Sequence, residues 1–183
     1  MPARVSLVVE RSERAACAAN HVTRAEILRR AKAMLAALQL KNEEVSLLLT
    51  SDEQIQELNK TYRHKDRPTD VLAFAQREGE FGALAGWLLG DVIVSIPTAT
   101  RQASQRKHDL LSEVTMLMAH GILHLLGWDH DTVAKDRRMR AETERLCDAA
   151  RPSARRTQTR ARARSGRVPP PSRTLKAKSA RRA

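Results

Sequence analysis

Aromatic side chains are scarce in this chain: two Phe, two Trp and one Tyr among 183 residues. Leu, Val, Ile and Met must therefore fill whatever core it builds, within an apolar content of 42%. Cysteine is scarcer still. Cys17 and Cys147 are too few for a disulfide framework and read as reduced thiols of a cytosolic protein. No stretch approaches the roughly 18 apolar residues of a membrane-spanning helix. The first ten residues lack the apolar run of a secretory signal. The expected location is the cytoplasm, with no membrane partner.

Acidic residues are missing altogether from residue 151 onward, where twelve Lys and Arg stand. Residues 1–150 then hold 21 of the 33 basic groups against all 21 acidic ones, so the net charge of +12 belongs to the tail. The high sequence pI therefore says nothing of a basic face on the folded part; it marks a polycationic arm. The tail carries Arg, Ala, Ser and Thr with a Pro169-Pro170-Pro171 run. Such a composition buries too little apolar surface to offset the entropy of ordering. Two parts are expected: a domain over 1–150 and a disordered basic tail over 151–183.

Within the first part, short apolar runs at 5–9, 45–49, 70–74 and 89–96 read as strands, the third at a sheet edge. Thr23, with Glu26 three residues on, predicts a capping box for a helix carrying Ile27, Leu28, Ala31, Met34, Leu35 and Leu38. Ser51 or Asp52 caps the next helix, which carries Ile55, Leu58 and Tyr62. The Gly-rich 78–86 stretch reads as a hairpin loop. Pro97 suits a first helical turn. Residues 110–126 are helical and apolar nearly all round, as in a helix covered on most sides. A last amphipathic helix over 133–149 shows Val133, Met139 and Leu146. The order β-α-β-α-β-β-α-α-α indicates an α+β fold: a small mixed sheet of about four strands packed with helices.

The informative segment is His120-Gly121-Ile122-Leu123-His124-Leu125-Leu126-Gly127-Trp128-Asp129-His130. Residues four apart share a helix face, so His120 and His124 can point at one metal ion. His130 would lie about 240° round from His124 and about 9 Å further on if the helix continued. Gly127 supplies the needed reversal, because glycine takes the left-handed conformation that ends helices. Three neutral imidazoles leave one tetrahedral position open, as in a catalytic zinc site. Nickel, copper and iron also suit imidazole. The bland reading of one such His is a hydrogen-bonded core residue. Half of all six His within eleven residues, at this spacing, favours a metal. The spacing is also that of metzincin proteases, which place Glu directly after the first His as general base. Gly121 stands there instead, so peptide hydrolysis by that route lacks its proton acceptor. A glycine at this position leaves room for substrate or for a neighbouring strand.

This segment resembles the H-G-x-L-H-L-x-G-Y-D-H hallmark of the YbeY family of rRNA maturation factors, with Trp128 in place of tyrosine. Two further stretches are similar to the family's motifs. One runs Tyr62-Arg63-His64-Lys65-Asp66-Arg67-Pro68-Thr69-Asp70-Val71-Leu72-Ala73-Phe74, with Ala73 where serine is usual. The other is Leu89-Gly90-Asp91-Val92-Ile93-Val94-Ser95. The likeness covers roughly residues 4 to 149; the basic tail lies outside it.

The resemblance implies a single-strand-specific, metal-dependent endoribonuclease. It implies one zinc ion per chain on His120, His124 and His130, and a functionally important Arg63. The planar fork of donors suits Arg63 to binding a phosphate. It implies 16S rRNA 3′-end maturation and ribosome quality control, with single-stranded RNA and the ribosome or its small subunit as partners. The tail is expected to bind nucleic-acid phosphates. For Arg63 the residues alone leave open a surface ion pair with Asp66 or Asp70. Asp129 and Asp131 are turn residues or orienting partners of a ligand, the turn preferred. Trp128 packs against the site or stacks on a base. His21, His64 and His108 are not expected to bind metal. Two other functions stay open: a zinc peptidase or other hydrolase, and a ribosome-associated RNA-binding factor with structural metal. The latter needs a fourth protein ligand, for which Cys147 is a poor candidate.

Overall fold

The computed structural model describes residues 2–77 and 86–152. The hairpin loop expected over 78–86 falls outside the described residues except for Gly86, and so does the tail from residue 153. In chain order the elements are β1 (Arg4–Val9), a 3-10 turn (Arg11–Glu13), α1 (Arg14–Ala19), α2 (Arg24–Ala37), β2 (Glu44–Thr50), α3 (Asp52–Arg63), β3 (Val71–Ala75), β4 (Leu88–Ser95), α4 (Ile96–Arg106), α5 (Leu110–Leu125) and α6 (Val133–Ala150). The fold is α+β. Its four strands lie in the order β1-β2-β4-β3. β1, β2 and β4 run parallel, and β3 pairs antiparallel along β4 as an edge strand.

Strand alternation distributes the apolar residues to two faces. Val45, Leu47 and Leu49 of β2, with Val92 and Val94 of β4, point into the main core beneath α2, α5 and α6. Ile93 and Leu72 point the other way and meet Ile55 of α3 in a smaller cluster. α5 is buried over most of its circumference, as its composition requires. No described helix is long and apolar enough to cross a membrane.

Local differences from the sequence reading have physical reasons. Thr23 caps α2 by accepting from the Glu26 amide at 3.2 Å. The Glu26 carboxylate does not complete the capping box; it pairs with Arg29 at 2.7 Å and Arg30 at 2.9 Å. A charge-assisted pair outcompetes a neutral amide donor. Ser51, not Asp52, caps α3. Val133, expected on the apolar face of α6, is 78% exposed at its first residue, while Met139 and Leu146 are buried. The six-residue α1, too short to show a period, places Cys17 in the core.

Candidate metal centre

α5 begins at Asp109, whose carboxylate accepts from the Ser112 amide at 2.7 Å. It ends in a paired closure: Gly127 N–H donates to His124 O at 3.0 Å, and Trp128 N–H to Leu123 O at 3.1 Å. This double bond pattern is the Schellman cap, and Gly127 takes the required left-handed φ of +77°. Trp128 then packs back on the core, with Arg138 4.9 Å above its ring.

Asp129 accepts from the Asp131 amide at 3.0 Å, and Lys135 bridges both carboxylates at 3.0 and 2.8 Å. Both aspartates are therefore turn residues. Between them His130 is turned back towards α5. Its ring centre lies 5.7 Å from that of His120 and 5.4 Å from that of His124; the latter two are 4.7 Å apart.

One nitrogen from each of the three rings falls within 4.8 Å of the others. Nε2 of His120 and Nε2 of His124 are 3.2 Å apart. Zinc–nitrogen bonds of about 2.0–2.1 Å put tetrahedral ligand atoms about 3.3 Å from each other. The helical pair already meets that spacing, and the third ring needs a small approach. Among the described residues this is the group of such donors able to hold a metal ion. Cys147 is not part of it.

Burial, with the neighbouring His124 and His130, pushes the His120 imidazole down to about 4, although Asp70 and Asp136 oppose the shift. His124 is lowered chiefly by burial and then by His130, with Arg63 acting the same way. Near neutral pH these rings are neutral, the form that binds metal.

A small pocket of about 160 Å³ opens on the trio and is walled by Arg63, Thr69, Asp70, Val71 and Ala73. A larger cleft of about 820 Å³ runs from His120 and His130 along α5 and α6, past Arg106 and His108. Arg63 closes α3 and lines the small pocket together with the histidines. Neither alternative partner holds it: Asp66 pairs with Lys60 at 2.7 Å, and the Asp70 carboxylate accepts from Gln102 at 3.0 Å. The other histidines lie elsewhere. His21 and His64 occupy left-handed turn positions, and His108 is paired with the buried Glu113.

Asp70 is a site residue that the sequence alone does not single out. Its signals are its place after Pro68-Thr69, at the entry to an edge strand, and its position within the stretch similar to the family motif; its closeness to a helix fifty residues later is not written locally. The room left by Gly121 is filled by strand, not by substrate: a Cβ there would lie 2.5 Å from Val92 Cγ1 and 3.3 Å from Val71 Cγ2.

Known proteins are similar to this chain. An Aquifex aeolicus protein named Endoribonuclease YbeY is 49% identical over 114 residues, covering 62% of this chain and 74% of the relative. A Geobacter metallireducens protein of the same name is 44% identical over 118 residues, covering 63% and 79%. The solution structure of TM1509 from Thermotoga maritima superposes with a TM-score of 0.51 at 20% identity, covering 93% of this chain and 99% of that one, and so supports the fold. The family model described as Endoribonuclease YbeY matches residues 10–151, from the end of β1 to beyond α6. With the match spanning β2, β3, β4 and the histidine turn, this chain belongs to the YbeY family.

Proposed function

We propose that the protein is a zinc-dependent endoribonuclease that hydrolyses single-stranded RNA, acting in the cytoplasm on rRNA, in 16S rRNA 3′-end maturation and ribosome quality control. The observation that carries the reading is the convergence of His120, His124 and His130 on a pocket that Arg63 also lines. Family membership supports RNA as the substrate.

Zinc in this site supplies a Lewis acid for the phosphoryl oxygen and lowers the pKa of water towards neutrality. The protein's own groups do the rest. Arg63 binds the scissile phosphate through its planar fork of donors and offsets charge that grows in the transition state. The small pocket holds the phosphate close to the histidines. The larger cleft gives the flanking strand a path along α5. The polycationic sequence from residue 151, with twelve Lys and Arg, binds phosphates without sequence preference.

The test joins metal analysis with cleavage assays on single-stranded RNA, duplex RNA and casein, with and without chelator. One zinc per chain and chelator-sensitive cutting of single-stranded RNA are expected, both lost in His124→Ala. Equal cutting by that variant assigns the activity to a contaminant. Cutting of casein in place of RNA establishes the peptidase.

A further inference from the structure

The histidine site has no glutamate beside its first ligand: Gly121 occupies that position, wedged against Val92. Hydrolysis still needs a group to take the proton of the attacking oxygen. The same close packing that excludes a side chain at position 121 brings a different carboxylate to the site. Gly121 sits over Val71, and Val71 is preceded by Asp70.

Asp70 lies at the carboxyl end of the parallel strands, where its carbonyl oxygen accepts from Ser95 N–H at 2.9 Å. In open sheets this end is where ligands bind. Its side chain lines both the small pocket and the larger cleft, each together with His120 and His130. It is the carboxylate common to the two. Asp136, Asp148, Asp129 and Asp131 near the cleft or the turn are each paired with Arg140, Arg151 or Lys135. Glu144 lines the larger cleft but not the small pocket that holds all three histidines. Asp70 has no ion-pair partner among the described residues.

Three neutral donors hold it. Oδ1 accepts from Val71 N–H at 2.9 Å and from the Thr69 hydroxyl at 3.2 Å. Oδ2 accepts from Gln102 Nε2 at 3.0 Å and keeps a lone pair free. A plain turn-capping role would need Oδ1 alone. Gln102 reaches across from α4 to fix the second oxygen. In doing so it leaves its own Oε1 buried without a partner among the described residues. Turning the amide round would set oxygen against oxygen, so the orientation follows from the carboxylate. The fold tolerates an orphaned acceptor in order to aim Asp70.

We propose that Asp70 is the proton acceptor of the hydrolysis, in the role that a glutamate after the first histidine would otherwise fill. The inference rests on the endoribonuclease reading above. Water's oxygen bonds to phosphorus, one of its protons passes to the Asp70 carboxylate, and the bridging P–O bond breaks. The leaving oxygen then takes that proton. Water and phosphodiester give a phosphate monoester and an alcohol, and the carboxylate is restored.

Asp70→Asn tests this cleanly. The introduced amide keeps an oxygen for Val71 and Thr69, and its NH2 can donate to the orphaned Gln102 Oε1 after that amide turns. The zinc-loaded full-length variant should keep the wild-type zinc content, melting temperature and affinity for a non-cleavable single-stranded RNA. Its kcat should fall by about 10²–10⁴-fold, the range of general-base catalysis. Asp70→Glu, which moves the carboxylate while keeping it, should recover part of that loss. A zinc-replete Asp70→Asn protein that cuts RNA at the wild-type rate overturns the inference. So does a loss of zinc or RNA affinity that matches the loss of rate, since Asp70 would then serve binding or architecture. Wild-type protein that carries zinc and cuts no RNA refutes the endoribonuclease reading, and this inference with it.

Discussion

Gly121 of α5 lies so close to Val92 of β4 that an added methyl group would sit 2.5 Å from Cγ1 and 3.1 Å from Cγ2. Alanine at position 121 would gain about 1 kcal/mol of helix propensity. Overpacking of this kind costs about 1–3 kcal/mol, and here the obstruction is a stiff β-branched residue on a buried strand. Gly121→Ala should therefore destabilise the fold by up to about 2 kcal/mol, read from urea denaturation. It should also weaken zinc binding, because His120 is the adjacent residue. Val92→Ala in the same chain should restore part of both. A single variant as stable and as zinc-avid as wild type would contradict the packing argument.

The depressed histidine makes the metal-free protein acid-sensitive. Burial, aided by His124 and His130, holds His120 at about 4 in the folded chain against 6.5 unfolded. Between those values the unfolded chain takes up a proton that the folded one refuses. Stability is thus full above pH 6.5, declines as pH falls towards 4, and levels off below. The upper limit for this group is about 3.4 kcal/mol, and solvent screening of the half-buried ring brings the expected loss below it. Urea midpoints of the chelated protein from pH 7.5 down to 4.5 measure it. His120→Gln should flatten the slope.

Glu113 is fully buried two turns before His120 and is met by Arg106 at 2.6 Å and by His108. The two partners keep water contact, at 47% and 32% exposure of their side chains. The order of removal therefore matters. Taking away both partners, Arg106→Ala with His108→Ala, strands a buried carboxylate and should cost about 3–5 kcal/mol. Glu113→Gln removes the buried charge itself and should cost less, about 1–3 kcal/mol. Chemical denaturation at neutral pH would rank the variants, and the reverse order would refute this account.

The tail makes a prediction separable from catalysis. Deleting residues 153–183 removes eleven Lys and Arg and no acidic group. Affinity for single-stranded RNA should drop. The slope of log K against log salt should become shallower by about 0.7 for each phosphate that the arm no longer neutralises. Cleavage of a short RNA at saturating concentration should be unaffected. An unchanged salt slope would mean that the arm does not touch RNA.

Local signals carried much of the fold. The parallel strands showed as β-branched and leucine runs because both faces of the sheet are covered, by Val92 and Val94 on one side and Ile93 on the other. α5 showed because its apolar residues surround it, and Gly127 showed as the bend that lets His130 return. Competition and distance hid the rest. The Glu26 carboxylate had two arginines within reach as well as a capping site, and propensity cannot rank those choices. α1 has only six residues. Asp70 and Gln102 reach the site through strand pairing and helix packing across many residues, and no periodicity records such a meeting.

The three imidazoles are not equivalent. His120 and His124 are half-buried and set by the spacing of one helix, whereas His130 is exposed on the short span between Gly127 and the Thr132 cap of α6. A cation held here would have two of its donors placed by the spacing of one helix and the third by the short span after Gly127. Stiffening that span would then be expected to lengthen residence of the ion without touching a donor atom.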